Sequence, residues 1–501
     1  MQGGPCALCQ DLEEFDRGYQ AILESLAEQR RNILQKINER HDPFIQRLPL
    51  ELASRVLAFC LPRQIFDQKS IDISLLWDHS KGLNIKPFNI VLGSICRSWR
   101  RIAWSTPDLW SILPIRLHNL EQTQVDLTLE WLSRSAQTPL DVAVWYGSRA
   151  TVSEGVTEAN IDLWKPLIDI VNGCSSRWRT FVVDAPELMH SYIVGNGEAT
   201  SILECLQVGP PYPNQRVSTG FSLTNALPMP SKLVLNTVPL RLIDIGWSNL
   251  TTVRVKGIFL DESLVLLQLT PRLITFQISW PLTGRDESLP APSPTIHHTL
   301  QCFDILELAE MQMAHQLLDF LTLPSLLDLS YASDLNSVEN VSAFLQRSGC
   351  RLTTLHIEAI DDPDHLSELA LAYDLQTLEN LVFHGFHESF LRFLNEPPDE
   401  QDGSIFLPNL HRIEIRDVQK VEKTWSALAD LFLSHSPKAL SIHFEILPIN
   451  PKKKTSWVDK ETALRFQDLV QKGHDIRIIG RIRGEKEERD LLQWFVEDRT
   501  L

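Results

Sequence analysis

From Trp178 onward, large apolar residues return in a six-residue pattern: apolar, two free positions, apolar, one free position, apolar. The copies are Trp178-Phe181-Val183, Leu203-Leu206-Val208, Leu240-Ile243-Ile245, Leu250-Val253-Val255, Leu273-Phe276-Ile278, Leu300-Phe303-Ile305, Leu326-Leu329-Tyr331, Leu352-Leu355-Ile357, Leu378-Leu381-Phe383 and Leu410-Ile413-Ile415, with a weak last copy at Leu440-Ile442. Those opening at 273, 300, 326, 352 and 378 follow at steps of 27, 26, 26 and 26. Alternation within each copy predicts a short strand with one apolar face. Stretches such as Glu262 to Leu269 and Ala314 to Leu321 predict helices that cover a flank. One strand-helix unit cannot bury its own apolar face, whereas a stack can. Before the repeat, Asp126 to Ser135 predicts a helix and Leu140 to Val144 a strand, together a first, atypical unit. After it, Lys460 to Lys472 predicts a helix, Asp475 to Gly480 a strand, and Glu487 to Val496 a polar-faced closing helix. The wider step of 32 from 378 to 410 holds Glu396-Pro397-Pro398-Asp399-Glu400-Gln401-Asp402-Gly403, the composition of an exposed loop. A second loop spans Gly284 to Pro294.

The first 42 residues follow another rhythm. Leu12, Phe15, Tyr19, Ile22 and Leu26 are spaced 3, 4, 3 and 4, the a/d spacing of a helix that seeks a partner. Gln29 and Lys36 take the next d positions and Ile33 keeps an a position. Pro43 ends the helix, because proline lacks the donor that continuation needs. Two readings stand: a coiled-coil or partner helix, or an amphipathic helix folded back onto its own chain.

Between these regions, Leu48 to Trp110 carries many large apolar residues on short helical segments. It opens with Leu48-Pro49-Leu50-Glu51-Leu52 and continues through Val56, Leu57, Phe59, Leu61 and Pro62. It closes with Cys96-Arg97-Ser98-Trp99-Arg100-Arg101-Ile102-Ala103 and Pro107-Asp108-Leu109-Trp110. A helical unit this small with surplus apolar surface hides it against a partner. The string resembles the F-box, the helical module that docks proteins onto the small adaptor of SCF ubiquitin ligases. The matches are Leu48, Pro49, Glu51, Leu52, Val56, Leu57, Phe59, Leu61, Pro62, Cys96, Trp99, Arg100, Ile102, Leu109 and Trp110. The form Leu92-Gly93-Ser94-Ile95-Cys96 with Trp99-Arg100, then Ser105-Thr106-Pro107 with Leu109-Trp110, resembles that of F-box proteins from mushroom-forming fungi. The departure is the distance from Pro62 to Cys96, 34 positions, so that residues 63–87 read as an insertion. The strand pattern beyond resembles leucine-rich repeats, without their Asn or Cys ladder after the strand.

The fold class expected is therefore α/β: an N-terminal helical F-box module followed by an irregular leucine-rich-repeat-like solenoid. Its divisions are residues 1–42 for the amphipathic helix, 43–114 for the F-box and 115–501 for the solenoid with its caps. The resemblance implies adaptor binding through Leu48, Pro49, Glu51, Leu52, Val56, Leu57, Phe59, Leu61, Pro62, Cys96, Trp99 and Trp110. Pro49 suits a helix start, and Trp99 and Trp110 suit interface anchors. It further implies a cullin held through the adaptor and an unknown target protein on the solenoid. Alternate strand positions such as Arg254, Thr275, Gln277, His356 and Glu414 would meet that target. The protein would be a substrate-recognition subunit of an SCF-type ligase. The alternatives are an F-box scaffold acting outside ubiquitination, and an enzyme on a solenoid.

Composition narrows this picture. The chain has 501 residues, 43% hydrophobic and 22% charged, as in folded proteins. A net charge of −17 argues against nucleic acid as a partner. No apolar run of about 18 residues predicts a membrane span, and Met1 to Phe15 lacks the pattern of a secretory signal. Eight irregularly placed cysteines suit reduced thiols in a cytoplasmic or nuclear protein. Cys6-Ala-Leu-Cys9 is half of a zinc-type arrangement with no second pair at a zinc-finger distance. There is no phosphate loop, Gly-x-Ser-x-Gly elbow or His-Glu-x-x-His. His297-His298, His384 with His387, Asp361-Asp362-Pro363-Asp364 and Lys452-Lys453-Lys454 read as solvated surface. No catalytic residue, cofactor or metal site is expected.

Overall fold

A computed structural model of the chain describes residues 6–41, 47–61, 88–117, 122–145, 161–196, 201–209, 218–224, 227–279, 282, 289, 292–306, 317–332, 338–358, 375–384, 407, 409–418, 441–449, 460–482, 489–490 and 492. It divides into two compact units, residues 1–180 and 181–501. The fold is mixed α/β, with a long N-terminal helix and a large parallel sheet.

The first unit opens with α1 (Ala7–His41), 35 residues long. Then come α2 (Leu50–Phe59), α3 (Phe88–Ile95), α4 (Arg97–Ser105) and a 3-10 turn, Pro107–Trp110. Strand β1 (Ile112–Arg116), helix α5 (Gln122–Arg134) and strand β2 (Leu140–Trp145) follow. β1 and β2 run parallel, from Ile112 beside Asp141 to Arg116 beside Trp145. Parallel neighbours cannot be joined by a tight turn, and α5 supplies the crossover. Helix α6 (Lys165–Gly173) leads to β3 (Trp178–Asp184), which runs across the boundary of the units. Arg177 donates to Thr138 O at 3.0 Å and to Ser135 Oγ at 2.6 Å, and Arg179 pairs with buried Asp141. Among the described residues no helix is long and apolar enough to cross a membrane.

The second unit continues with α7 (Glu187–His190), β4 (Cys205–Gly209), β5 (Phe221–Ser222), β6 (Lys232–Asn236), β7 (Ile243–Asp244), β8 (Thr252–Lys256), α8 (Leu260–Leu269) and β9 (Thr275–Ser279). Next come β10 (Thr295–Ile296), β11 (Cys302–Leu306), β12 (Leu321–Thr322), β13 (Asp328–Ala332), α9 (Val338–Ser348), β14 (Thr354–Glu358) and β15 (Asn380–His384). Last are β16 (Arg412–Val418), β17 (Ser441–Ile449), α10 (Lys460–Gln471), β18 (Asp475–Ile482) and β19 (Arg489–Asp490). Within this unit the main sheet has the order β4-β6-β8-β9-β11-β13-β14-β15-β16-β17-β18-β19. Its strands are parallel except β19, which is antiparallel to β18. Two small parallel pairs, β5–β7 and β10–β12, lie outside it.

The register explains the sequence repeat. Leu206, Leu233, Val253, Phe276, Phe303, Leu329, Leu355, Leu381 and Ile413 stand beside one another, strand to strand. Two positions along lies a second row, through Val255, Ile278, Ile305, Tyr331, Ile357, Phe383 and Ile415. Both rows are buried, and Phe276 stacks on Phe303 with ring centroids 5.8 Å apart. Each row converts a period along the chain into a continuous apolar seam across strands. Helix α8 is tied to the turn before β7 by Glu262, whose carboxylate accepts from Phe259 N and Leu240 N, both at 3.0 Å. This is the reach-back of a carboxylate at the third helical position.

Several expectations need correction. Leu240-Ile243-Ile245 is not a copy on the main sheet. Leu240–Leu242 is a 3-10 turn, and Ile243 pairs with Phe221. The strand belonging to the sheet here is β6, whose pattern is Pro230-Leu233-Leu235, all buried. Leu321, expected in a helix, sits in β12, and 314–316 lie outside the described residues. Arg489 and Asp490, expected in a closing helix, form β19. There Asp490 Oδ1 accepts from Ile478 N at 3.2 Å and from Leu492 N at 3.0 Å, a carboxylate bridge that a helix would not make. His297 is buried, not solvated, with Nε2 2.9 Å from Thr270 O. Burial pushes its pKa down. Pro43, residues 63–87, the loop at 396–403, the 361–364 carboxylates, His387 and Lys452–Lys454 lie outside the described residues.

Candidate functional site

Helix α2 has two apolar stripes. Ala53, Leu57 and Leu61 recur every four residues and are buried. Leu52, Val56 and Phe59, spaced four and three, form the other stripe and are 47%, 41% and 82% exposed. Pro49 starts the helix with φ −52° and ψ 148°, and its carbonyl accepts from Leu52 N and Ala53 N at 3.0 Å each. Pro49, Leu50 and Glu51 are exposed, and Leu48 is half-buried. Glu51 lies in the first turn, where a carboxylate suits the helix dipole. Helix α3 is two-sided as well: Asn89, Leu92 and Gly93 face inward, while Ile90, Val91 and Ile95 are exposed.

The inward stripes close on one small core with Ile102, Ala103, Leu109 and Trp110. Trp110 is its centre. Its Nε1 donates to Ala103 O at 2.7 Å, and its ring meets Trp104 and Trp131 edge-on, at 5.4 and 5.0 Å between centroids. The Arg134 guanidinium lies 5.2 Å from the Trp104 ring and 5.1 Å from that of Trp110, a favourable cation–ring arrangement. Trp131 Nε1 donates to Trp110 O at 2.9 Å, binding α5 to the module. Gly93 is required by close approach: a Cβ there would stand 2.0 Å from Trp104 Cζ3. Arg100 Nε donates to Gly93 O at 2.8 Å. Thr106 Oγ1, 2.7 Å from Ile102 O and 3.1 Å from Ser54 Oγ, links the end of α4 to α2.

The residues expected to dock therefore divide. Pro49, Glu51, Leu52, Val56 and Phe59 lie on the surface, and Leu48 and Trp99 are half-buried. Leu57, Leu61 and Trp110 are buried in the module's own core. Cys96 is a helix cap: its backbone is extended and its Sγ accepts from Trp99 N at 3.5 Å. Pro62 lies outside the described residues. The inward assignments follow from three short helices that share one core, which takes one stripe from each. Leu50, Ile90, Val91 and Ile95 were not anticipated; the signal that could have found them is that α2 and α3 are apolar on more than one face.

In the second unit, the positions between the two apolar rows are polar in every main-sheet strand from β8 to β17 except β15, where Val382 is buried. Arg254, Gln277, Asp304, Ser330, His356, Val382, Glu414 and His443 stand in register on neighbouring strands. Thr275 lies in the adjacent row, between Thr252 and Cys302. Arg254, Thr275, Gln277 and Glu414 are half-buried on this face, whereas His356, expected to meet a target, is buried. Gln277 Nε2 donates to Asp304 Oδ2 at 2.8 Å. Toward β18, Glu414 is held by Arg412 at 3.1 Å and by Arg416 at 2.8 Å. Burial acts to raise the Glu414 pKa, but the hydrogen bonds and charges of Arg416 and Arg412 outweigh it and hold the carboxyl below its ordinary value. Asp475 accepts from Arg477 Nε at 2.9 Å and from Ser441 Oγ at 3.0 Å. These charges are paired among themselves.

Cys6 Sγ and Cys9 Sγ lie 3.4 Å apart, both exposed. Among the described residues no group of three or more His, Cys, Asp or Glu side chains is placed to hold a metal ion. No family model matches the chain, and no curated protein matches it.

Proposed function

We propose that this protein is an F-box-type adaptor-binding protein, the substrate-recognition subunit of an SCF-type ubiquitin ligase. The observation that carries the reading is the outward stripe Leu52-Val56-Phe59 of α2, behind a Leu48-Pro49 opening. The stripe belongs to a sequence whose order, from Leu48 to Trp110, resembles the F-box. Covering a large apolar side chain contributes roughly 1.5–3 kcal/mol, so three such residues supply affinity of the right order for a docking helix. Leu57, Leu61 and Trp110 serve from inside, holding α2 so that its second stripe faces outward. The adaptor brings the cullin assembly, and the polar rows of the sheet present the target. The leucine-rich-repeat-like character of that sheet belongs to this reading; parallel strands in constant register and the step near 26 support it. The protein's contribution is proximity and orientation, with no bond chemistry of its own.

Co-purification of the full chain with the adaptor tests this. Val56→Asp together with Phe59→Asp is expected to lower adaptor recovery by about tenfold or more. Circular dichroism should stay unchanged, because both side chains are exposed. Equal recovery by both forms sinks the docking assignment. Cullin in the purified complex, with target turnover that depends on it, separates a ligase subunit from an adaptor-bound scaffold outside ubiquitination.

A further inference from the structure

Helix α1 carries apolar residues that no described residue covers. Leu8, Leu12, Phe15, Tyr19, Ile22 and Leu26 recur at three- and four-residue spacing, Ile33 follows after seven, and each is more than half exposed, Phe15 by 70%. From Leu8 to Ile33 the stripe runs about 38 Å at 1.5 Å per residue. That length is ample for a two-stranded coiled coil. The charges along the helix are not evenly spread. Residues 7–24 hold Asp11, Glu13, Glu14, Asp16 and Glu24 against Arg17, whereas residues 25–41 hold Arg30, Arg31, Lys36 and Arg40 against Glu28 and Glu39. One end is acidic and the other basic. A second copy laid antiparallel sets acidic end against basic end at both ends of the pair. A parallel copy sets acid against acid and base against base, which costs stability.

We infer that α1 is a self-association helix: two copies of this chain pair through it, antiparallel. This is independent of the adaptor-docking reading, since it uses none of residues 48–110. The occupant is chosen by complementarity with itself. A helix whose two halves carry opposite charge matches its own reverse, and its a and d positions supply the apolar seam. Consequently the pair would carry two adaptor-docking modules and two target-binding sheets.

Sedimentation of the full chain tests this at low and high salt, with three variants. The wild-type chain is expected to be a dimer at micromolar concentration, dissociating more readily as salt rises, because screening weakens attraction between opposite charges. Ile22→Glu with Leu26→Glu is expected to be monomeric, with unchanged circular dichroism and unchanged adaptor recovery. Arg30→Glu, Arg31→Glu and Lys36→Glu in one chain make both halves acidic and are expected to weaken self-association by about tenfold or more. Mixing that chain with Asp11→Lys, Glu13→Lys and Glu14→Lys in another should restore pairing. A monomer at all concentrations overturns the inference. So does a dimer that tightens with salt, the mark of parallel helices with like charges adjacent. A dimer that a chelator dissolves overturns it too, since a metal shared by two Cys6–Cys9 pairs needs the N-termini side by side. If the three-charge variant misfolds, the salt dependence of the wild-type chain alone decides the orientation.

Discussion

Strand β11 and helix α2 carry similar apolar content to opposite ends. In β11, Phe303 and Ile305 are fully buried, each beside its counterparts on β9 and β13. In α2, Leu57 is 3% exposed, yet Leu52, Val56 and Phe59, within five positions of it, face solvent. The difference lies in what each element has next to it. A strand in a parallel stack has a neighbour of the same pattern on either side, in constant register, and the seam seals itself. A helix of ten residues with one small core on one side has no second neighbour among the described residues. An apolar pattern states that a side chain is better covered, and it does not state by what. In the sheet the chain itself answers; for the exposed side chains of α2 and α1, no described residue of this chain does.

The largest effect should come from breaking the sheet seam. Phe303→Ala removes a fully buried ring stacked on Phe276, and should cost about 3–5 kcal/mol in denaturant unfolding. A loss below about 1 kcal/mol would mean that the seam does not hold the second unit together.

Burial in the second unit extends to a histidine. His190, at the end of α7, is 1% exposed, and burial lowers its pKa to about 4 from an ordinary 6.5. The unfolded chain takes up a proton near pH 6.5 while the folded chain resists until about pH 4. Stability is therefore full above pH 6.5 and falls as the pH drops toward 4, by up to roughly 3 kcal/mol. His190→Leu should flatten that part of the curve. Equal slopes for variant and wild type between pH 7 and 5 would contradict it.

A smaller effect is expected where helices meet most closely. Gly93→Ala puts a Cβ 2.0 Å from the Trp104 ring, and the ring, held against Trp110, must shift. The cost should be about 1–3 kcal/mol by thermal or denaturant unfolding. Adaptor recovery would fall in proportion to the fraction of module left folded.

How far the sequence could be read follows the same division. The rows of the sheet were legible because covering elements repeat the pattern they cover: Leu273, Leu300, Leu326 and Leu352 open strands that became neighbours. At β6, Pro230 holds the slot that leucine holds elsewhere, and Leu240 imitates a copy because a 3-10 turn can carry the same three apolar residues. In residues 48–110, which positions are apolar was legible and which way they face was not. Leu57 and Val56 are adjacent in sequence and equally apolar, yet only the positions of α3 and α4 decide which is inside. Trp110 looked like an anchor for a partner because it is large. What assigns it to the core is its bond to Ala103 O and the rings of Trp104 and Trp131, contacts across 6 to 21 residues that no local pattern encodes.

The smallest effect on stability is the one that separates the two regions most sharply. Phe59 is 82% exposed at the end of α2, and truncation to alanine removes contacts with water and little else. Phe59→Ala should leave unfolding within about 0.5 kcal/mol of wild type, against the several kcal/mol expected at Phe303. Its cost should instead show in binding, as a drop of about tenfold or more in adaptor affinity if the ring is a central anchor. The same change of residue type would then be structural at 303 and silent at 59 until a partner is added. Should Phe59→Ala destabilise the isolated chain as Phe303→Ala does, the ring is covered by this chain in solution, and the outward stripe of α2 is not open to an adaptor. Should it leave both stability and adaptor binding unchanged, the surface that binds lies elsewhere, with the exposed Ile90, Val91 and Ile95 of α3 as the next positions to change.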